Sequence, residues 1–182
     1  MENSIEKPAI SILQAKAADT LGITQLLYKT WLATYPNERA GVTEDDIHDR
    51  FEKRLSTVEL EARSQSIEHM PDGWHVFVAK NPSGDIVGMC RIHVEDTINK
   101  LQALYVDPMF QRQGIGSRLW NEALTYFNPD NDIELDVAVY NARAIGFYTT
   151  LGFVDTGERF LDERFKMKSG AMIPEMKMVL KR

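Results

Sequence analysis

Apolar positions recur along the chain in two periods, and the change from one to the other marks its elements. Ile10-Ser11-Ile12-Leu13 alternates weakly and predicts a first strand. Leu21, Ile23, Leu27, Trp31 and Leu32 then predict a helix that starts at Asp19 or Thr20 and runs to about Tyr35, where Pro36 ends it. Thr43-Glu44-Asp45-Asp46 approaches a capping box, and Ile47, Phe51, Leu55 and Val58 carry a second helix towards Glu68. Residues 74–79 and 86–94 predict two strands joined through Asn81-Pro82-Ser83-Gly84-Asp85, a hairpin signal.

The next stretch, 101–127, carries chemistry. Leu101, Ala103, Leu104 and Val106 form a short, mostly apolar strand that Asp107-Pro108 stops. The polar loop Gln111-Arg112-Gln113 leads to Gly114-Ile115-Gly116, and apolar residues at 115, 119, 120, 123, 124 and 127 then follow helical spacing. The glycines therefore sit at a strand-to-helix junction. Amides of a first helical turn have no internal partner and lie at the positive end of the macrodipole, so this loop can hold a phosphate group. Taken alone, two glycines serve a tight turn equally well. A dinucleotide fingerprint would need a small residue where Leu119 stands, and a P-loop would need Gly-Lys-Ser/Thr, which is missing.

Beyond the turn Asn128-Pro129-Asp130-Asn131, residues 133–140 alternate as a strand. Ile133, Leu135, Val137 and Val139 share one face; Glu134, Asp136, Ala138 and Tyr140 share the other. Asn141 can cap a helix over 142–151, which Gly152 closes with a left-handed C-cap. Residues 153–160 and 176–180 predict the last strands, with the polar segment 162–174 between them expected as a mobile loop. No repeat or linker interrupts residues 1–182, which are expected to form one domain of mixed α/β order β-αα-βββ-α-β-α-ββ.

Gln111-x-x-Gly114-x-Gly116 behind Leu104-Tyr105-Val106 resembles the acyl-CoA-binding signature of the GNAT superfamily of N-acetyltransferases. The run from Asn141 through Ala144, Phe147 and Tyr148 to Gly152-Phe153 resembles that family's second signature. The resemblance covers residues 101–153 and implies a central mixed, mostly antiparallel sheet with splayed parallel strands. It further implies that Leu104, Tyr105 and Val106 pair by backbone with the pantetheine arm of acetyl-CoA. Arg112, Gln113, Gly114, Ile115, Gly116 and Ser117 would hold its pyrophosphate. Asn141 would bond the pantetheine, and Tyr148 would stand near the thioester sulfur as acid for the leaving thiolate. On its residue type alone, such a tyrosine is more often a core residue with a satisfied hydroxyl.

An acceptor amine with pKa near ~10 is about one part in a thousand neutral at pH 7, so freeing it corresponds to roughly 4 kcal/mol. A base is therefore needed. The resemblance points to Asp136, with Glu134, Glu95 or Asp107 as substitutes and a water chain as the alternative. His48, His69, His75 and His93 lack metal-ligand spacing, and no metal is expected.

Composition narrows the partners. With 21 basic and 27 acidic residues the net charge is −6, which argues against a nucleic-acid footprint and favours cationic partners. One cysteine, Cys90, fits a reducing compartment; the N-terminus shows no apolar leader and no run spans a membrane, so a cytoplasmic location is expected. Tyr28, Trp31 and Tyr35, with Glu38, Glu44, Asp45, Asp46 and Asp49, suit a small cationic amine by cation–π and charge attraction. The alternative is a core Trp31 and a solvated acidic face. The expected activity is acetyl transfer to such an amine in a ternary complex. A peptide or protein N-terminus or lysine, and an acyl-CoA-binding sensor without turnover, are the rivals. A homodimer is left open.

Overall fold

The computed structural model describes residues 9–182, and most of the N-terminal stretch read above for a leader lies outside them. Seven strands form one sheet in the order β1-β2-β3-β4-β5-β7-β6. These are β1 (Ser11–Gln14), β2 (Trp74–Lys80), β3 (Ile86–Val94), β4 (Asn99–Val106), β5 (Ile133–Ala138), β6 (Val154–Leu161) and β7 (Pro174–Leu180). Every neighbouring pair is antiparallel except β4 with β5.

Between β1 and β2 lie three helices, α1 (Thr20–Thr34), α2 (Glu44–Arg54) and α3 (Thr57–Glu68). The single helix expected from Thr43 to Glu68 is thus two, and the order becomes β-ααα-βββ-α-β-α-ββ. Ser56 breaks it: its side chain accepts from the Glu59 amide at 3.4 Å and caps α3. Val58, read as part of the apolar stripe, is 75% exposed as a result. The helices α4 (Ile115–Leu124) and α5 (Ala142–Thr150) flank β5 in sequence, as expected.

One core joins sheet residues Phe77, Cys90, Ile92, Leu101 and Leu135 to Ile115, Leu119, Trp120 and Ala123 of α4 and to Tyr148 and Phe153. Ile133, Leu135 and Val137 enter it together, whereas β5 ends at Ala138 and leaves Val139 exposed. A second cluster gathers Trp31, Val42, Ile47, Phe51, Ala138, Met167 and Ile173. Met167 and Ile173 belong to the segment expected as a mobile polar loop. Their burial docks it on α2, where Asp46 Oδ1 accepts from the Ser169 amide at 3.3 Å and Arg50 Nη2 donates to the Arg164 carbonyl at 3.1 Å.

The parallel pair is short. Only Asn99↔Ile133, Lys100↔Glu134 and Leu101↔Leu135 are in register; beyond them β4 continues along β3 and β5 along β7. Asn99, fully buried, anchors the closed end. Its Nδ2 donates to the carbonyls of Asn128 and Asn131 at 2.8 and 2.9 Å, its Oδ1 accepts from the Asn128 amide at 3.1 Å, and its own amide donates to the Asp132 carbonyl at 2.9 Å. The turn into β5 is thereby tied to the first residue of β4. Asn99→Ala strips three of these bonds from buried groups and should lower the unfolding free energy by about 3 kcal/mol. The urea midpoint at constant slope is the measurement, and a shift too small to resolve would show that the anchor carries no load.

Candidate active site

Where β4 and β5 part, a cleft of about 1100 Å³ opens. Leu104, Tyr105 and Val106 line one wall and Asp136, Val137 and Ala138 the other. Backbone groups of β4 that face away from β3 have no ladder partner there, so an extended ligand could add to them as a strand would. The Val106 carbonyl is occupied, since Gln111 Nε2 donates to it at 3.1 Å; Gln111 Oε1 is buried without a partner.

At one end of the cleft the chain turns into α4. Arg112 adopts φ 61° and Gly114 φ 79°, both left-handed, which swings the first turn of the helix onto the cleft. That conformation is free for Gly114 and strained for Arg112. Arg112, Gly114, Ile115, Gly116 and Ser117 all line the opening. The amides of Ile115, Gly116 and Ser117 have no carbonyl a turn earlier in the helix and form the positive end of its dipole. Gln113, grouped with them above, is not part of the lining; its Nε2 reaches the Met109 carbonyl at 3.4 Å.

Across the cleft, Asn141 caps α5 by accepting the Ala144 amide on Oδ1 at 3.1 Å. Its side-chain NH2 is left for a ligand. Tyr148 also lines the cleft although only 7% exposed, and its hydroxyl makes no hydrogen bond to a described residue. Burial pushes its pKa well above the ordinary phenol value, with smaller contributions from Tyr105 and Cys90.

Residues 25–153 match the family model described as Acetyltransferase (GNAT) family. The chain belongs to the GNAT acetyltransferase family. It is 31% identical over 175 residues to a probable N-acetyltransferase of Mycobacterium tuberculosis, with 93% of each chain covered. Among solved structures, the PaiA N-acetyltransferase of Thermoplasma acidophilum in complex with coenzyme A superposes with TM-score 0.70 at 17% identity, over 96% of this chain and 99% of that one. A GNAT-family acetyltransferase of Streptococcus pneumoniae gives TM-score 0.66 at 19% identity, over 94% and 98%. The protein is thus an N-acetyltransferase that draws on acetyl-CoA. The cleft fits that cosubstrate: it offers unpaired strand backbone for an amide-bearing arm and a glycine turn with helix-end amides for phosphates. Among the described residues no group of three or more His, Cys, Asp or Glu side chains could hold a metal.

The far end of the acetyltransferase cleft is built from tyrosines and carboxylates. The hydroxyls of Tyr35 and Tyr105 lie 3.0 Å apart, and the Tyr140 hydroxyl donates to the Tyr35 carbonyl at 2.9 Å. Burial raises the pKa of all three, that of Tyr140 to about 12. Asp136 lines this end as expected, exposed to the cleft. Loss of water raises its pKa, the nearby Lys177 opposes, and Glu134 adds to the rise. Glu95 and Asp107 are excluded from the lining. Glu95 is held below its usual value by Lys100 at 2.8 Å and by His93 at 3.0 Å, and Asp107 accepts from the Met109 amide and pairs with Lys29.

Glu175 is the residue that sequence reasoning missed. It lies on β7 beside Ala138, points to the same face as Asp136, and lines the cleft. Burial raises its pKa to about 7, helped by the charges of Asp136 and Asp162 and opposed by Arg164. In the sequence it falls between the expected loop, 162–174, and the expected last strand, 176–180, and only the pairing of β7 with β5 reveals it.

The acids expected to attract a cation stand elsewhere. Asp46 serves the cap of α2, Asp49 pairs with Lys168 at 3.1 Å, and neither they nor Glu38, Glu44 and Asp45 line the cleft. Tyr28 is engaged with His48, and Trp31 is a core residue 5% exposed.

Glu175 also couples stability to pH. A carboxyl whose pKa is higher folded than unfolded leaves the folded state holding the extra proton between the two values. Its contribution to stability is therefore lost as pH rises from about 4.5 to 7. The stability difference between wild type and Glu175→Gln, followed by thermal melting over that range, should shift in favour of the variant as pH rises. A difference independent of pH would remove Glu175 as a group with a raised pKa.

Proposed function

We propose that this acetyltransferase moves the acetyl group of acetyl-CoA directly to the primary amine of a small molecule, in a ternary complex. The observation that carries the reading is the placement of Glu175 and Asp136 in the same cleft as Tyr148, beyond the glycine turn that suits the cosubstrate's phosphates. The acceptor enters as an ammonium, which the two carboxylates attract. That is the cationic part of the substrate.

Glu175 takes the ammonium proton, directly or through one water. A carboxylate with pKa about 7 is half ionised near neutrality and is basic enough for the task. The amine nitrogen then forms a bond to the thioester carbonyl carbon. As the tetrahedral species collapses, the carbon–sulfur bond breaks and the electron pair leaves on sulfur. Tyr148 hydrogen-bonds that sulfur and gives it a proton as it is expelled, and the second proton of the amine nitrogen leaves through water to restore the phenol. Burial keeps Tyr148 protonated beforehand and disfavours its phenolate. Asp136 holds the ammonium during binding.

Direct transfer is favoured over a covalent acyl-enzyme by the state of the only cysteine. Cys90 is fully buried in the core, has its pKa raised by burial, and does not line the cleft.

Release of free CoA across a panel of amines tests the whole reading; no release with any amine, together with no acetyl-CoA binding, would end it. Tyr148→Phe should bind acetyl-CoA normally and turn over about 10- to 1000-fold more slowly, the span of a lost acid. Glu175→Gln should slow kcat/KM by roughly 100-fold or more and abolish the limb of the pH–rate profile near 7. Asp136→Asn should raise acceptor KM and leave that limb in place. A limb that survives in Glu175→Gln and disappears in Asp136→Asn would exchange the two roles.

A further inference from the structure

We infer that the acceptor carries a carboxylate or phosphate group besides its amine, and that this group docks on the guanidinium group of Arg91, with the charge of Arg54 standing behind it. The inference deepens the acetyltransferase reading and rests on it.

Four arginines converge beside Tyr105. Arg50 and Arg54 come from α2, Arg63 from α3, and Arg91 from β3 next to Ala103 of β4. Arg91 lines the cleft. Their side chains lie against aromatic faces. Arg50 stands 5.1 Å over Trp31 and 5.5 Å over Phe165, Arg54 is 5.3 Å over Phe51 and 5.8 Å over Trp31, and Arg91 is 5.3 Å over Trp74. Stacking fixes the planes and leaves the N–H edges for a ligand.

Of these cations only Arg63 has a counter-charge among the described residues. Arg63 pairs with Glu59 at 3.4 Å, and Arg50 donates only to the Arg164 carbonyl. Arg54 and Arg91 make no ion pair or hydrogen bond with a described residue. In a chain with 27 acidic residues, pairing would be easy to supply. Arg54 is partly buried and its neighbours repel it, which lowers its pKa to about 10, chiefly by desolvation and then through Arg63 and Arg50, whereas Arg91 is exposed. Charged groups out of water are ordinarily paired, and exceptions concentrate where a ligand supplies the missing charge.

The hydrogen-bond inventory points the same way. Among the described residues, five buried side-chain polar atoms have no partner, and three of them are N–H donors of this wall: Trp31 Nε1, Arg50 Nε and Arg63 Nε. Trp31 also lines the cleft. A surplus of donors calls for an acceptor-rich anion, and the planar guanidinium matches carboxylate and phosphate oxygens alike. The cleft thus presents carboxylates from β5 and β7 and an arginine from β3, with the α2 arginines behind its lining. A molecule with an ammonium at one end and an anion at the other meets both.

Matched acceptors decide the point: an amino acid against its amide, an aminoalkyl phosphate against the amino alcohol, and a polyamine. The anionic member should be preferred in one or both pairs, and the pair that responds identifies carboxylate or phosphate. Arg91→Ala should raise the KM of that acceptor roughly 10- to 100-fold, the worth of a charged hydrogen bond, and Arg54→Ala, which removes a charge behind the lining, should raise it less, with the KM of acetyl-CoA unchanged in both. Arg91→Lys should recover part of the loss. Arg54→Met should melt no lower than wild type because it relieves repulsion, whereas a purely structural arginine would lower the melting temperature. Preference for the neutral partners or the polyamine, or a preference for the anion that survives both alanine variants, would overturn the proposal. Inorganic phosphate titrated against the arginine Nε–H resonances tests the wall without turnover. A selective shift of Arg91 is expected, and an unmoved Arg91 resonance would overturn the anion site even in an active acetyltransferase.

Discussion

The site exists because two parallel strands are allowed to pair for only three residues each. Asn99 holds β4 and β5 together at their start, and β3 and β7 then draw them apart. Neither strand can relax into the gap, since each is already committed along its other edge. The unpaired backbone between them would be costly if sealed in a dry core, and it is tolerable because the gap opens to solvent and ligand. Every other part of the active site is placed by this parting. The first turn of α4 faces one end of it, α5 brings Asn141 and Tyr148 to its side, and β7 sets Glu175 along its floor.

The two ends use different materials. The donor end relies on main chain: strand edges, a left-handed turn at Arg112 to Gly114, and the exposed amides of α4. The acceptor end relies on side chains from α1, β3, β5 and β7 and from the docked segment after β6. A backbone site needs little beyond room for approach, which is why glycine matters there. A side-chain site can be rebuilt residue by residue while the sheet stays the same.

That division explains what could be read in advance. The strand, turn and helix around Gly114 and Gly116 are contiguous, so their periodicity and the absence of side chains were visible as a pattern. Asn141 and Tyr148 were legible for the same reason, being two helical turns apart on one element. Glu175 and Arg91 come from two distant strands, and only strand pairing brings them to one cleft. The break between α2 and α3 had a local signal, Ser56-x-x-Glu59, but the apolar series Ile47, Phe51, Leu55 and Val58 ran across it and favoured continuity. The docking of residues 162–174 turned on Met167 and Ile173, two apolar positions in a polar run whose partners lie on α1 and α2.

Cys90 sits at the centre of β3 with none of its surface exposed, in the same core as α4. A thiol reagent in the surrounding solution therefore meets no thiol on the intact protein and reacts with the free thiol of CoA alone. The protein's own thiol enters that chemistry only when the packing of α4 against the sheet gives way. Modification of Cys90 is in effect a clock for opening of the core, running beside the reaction and separable from it.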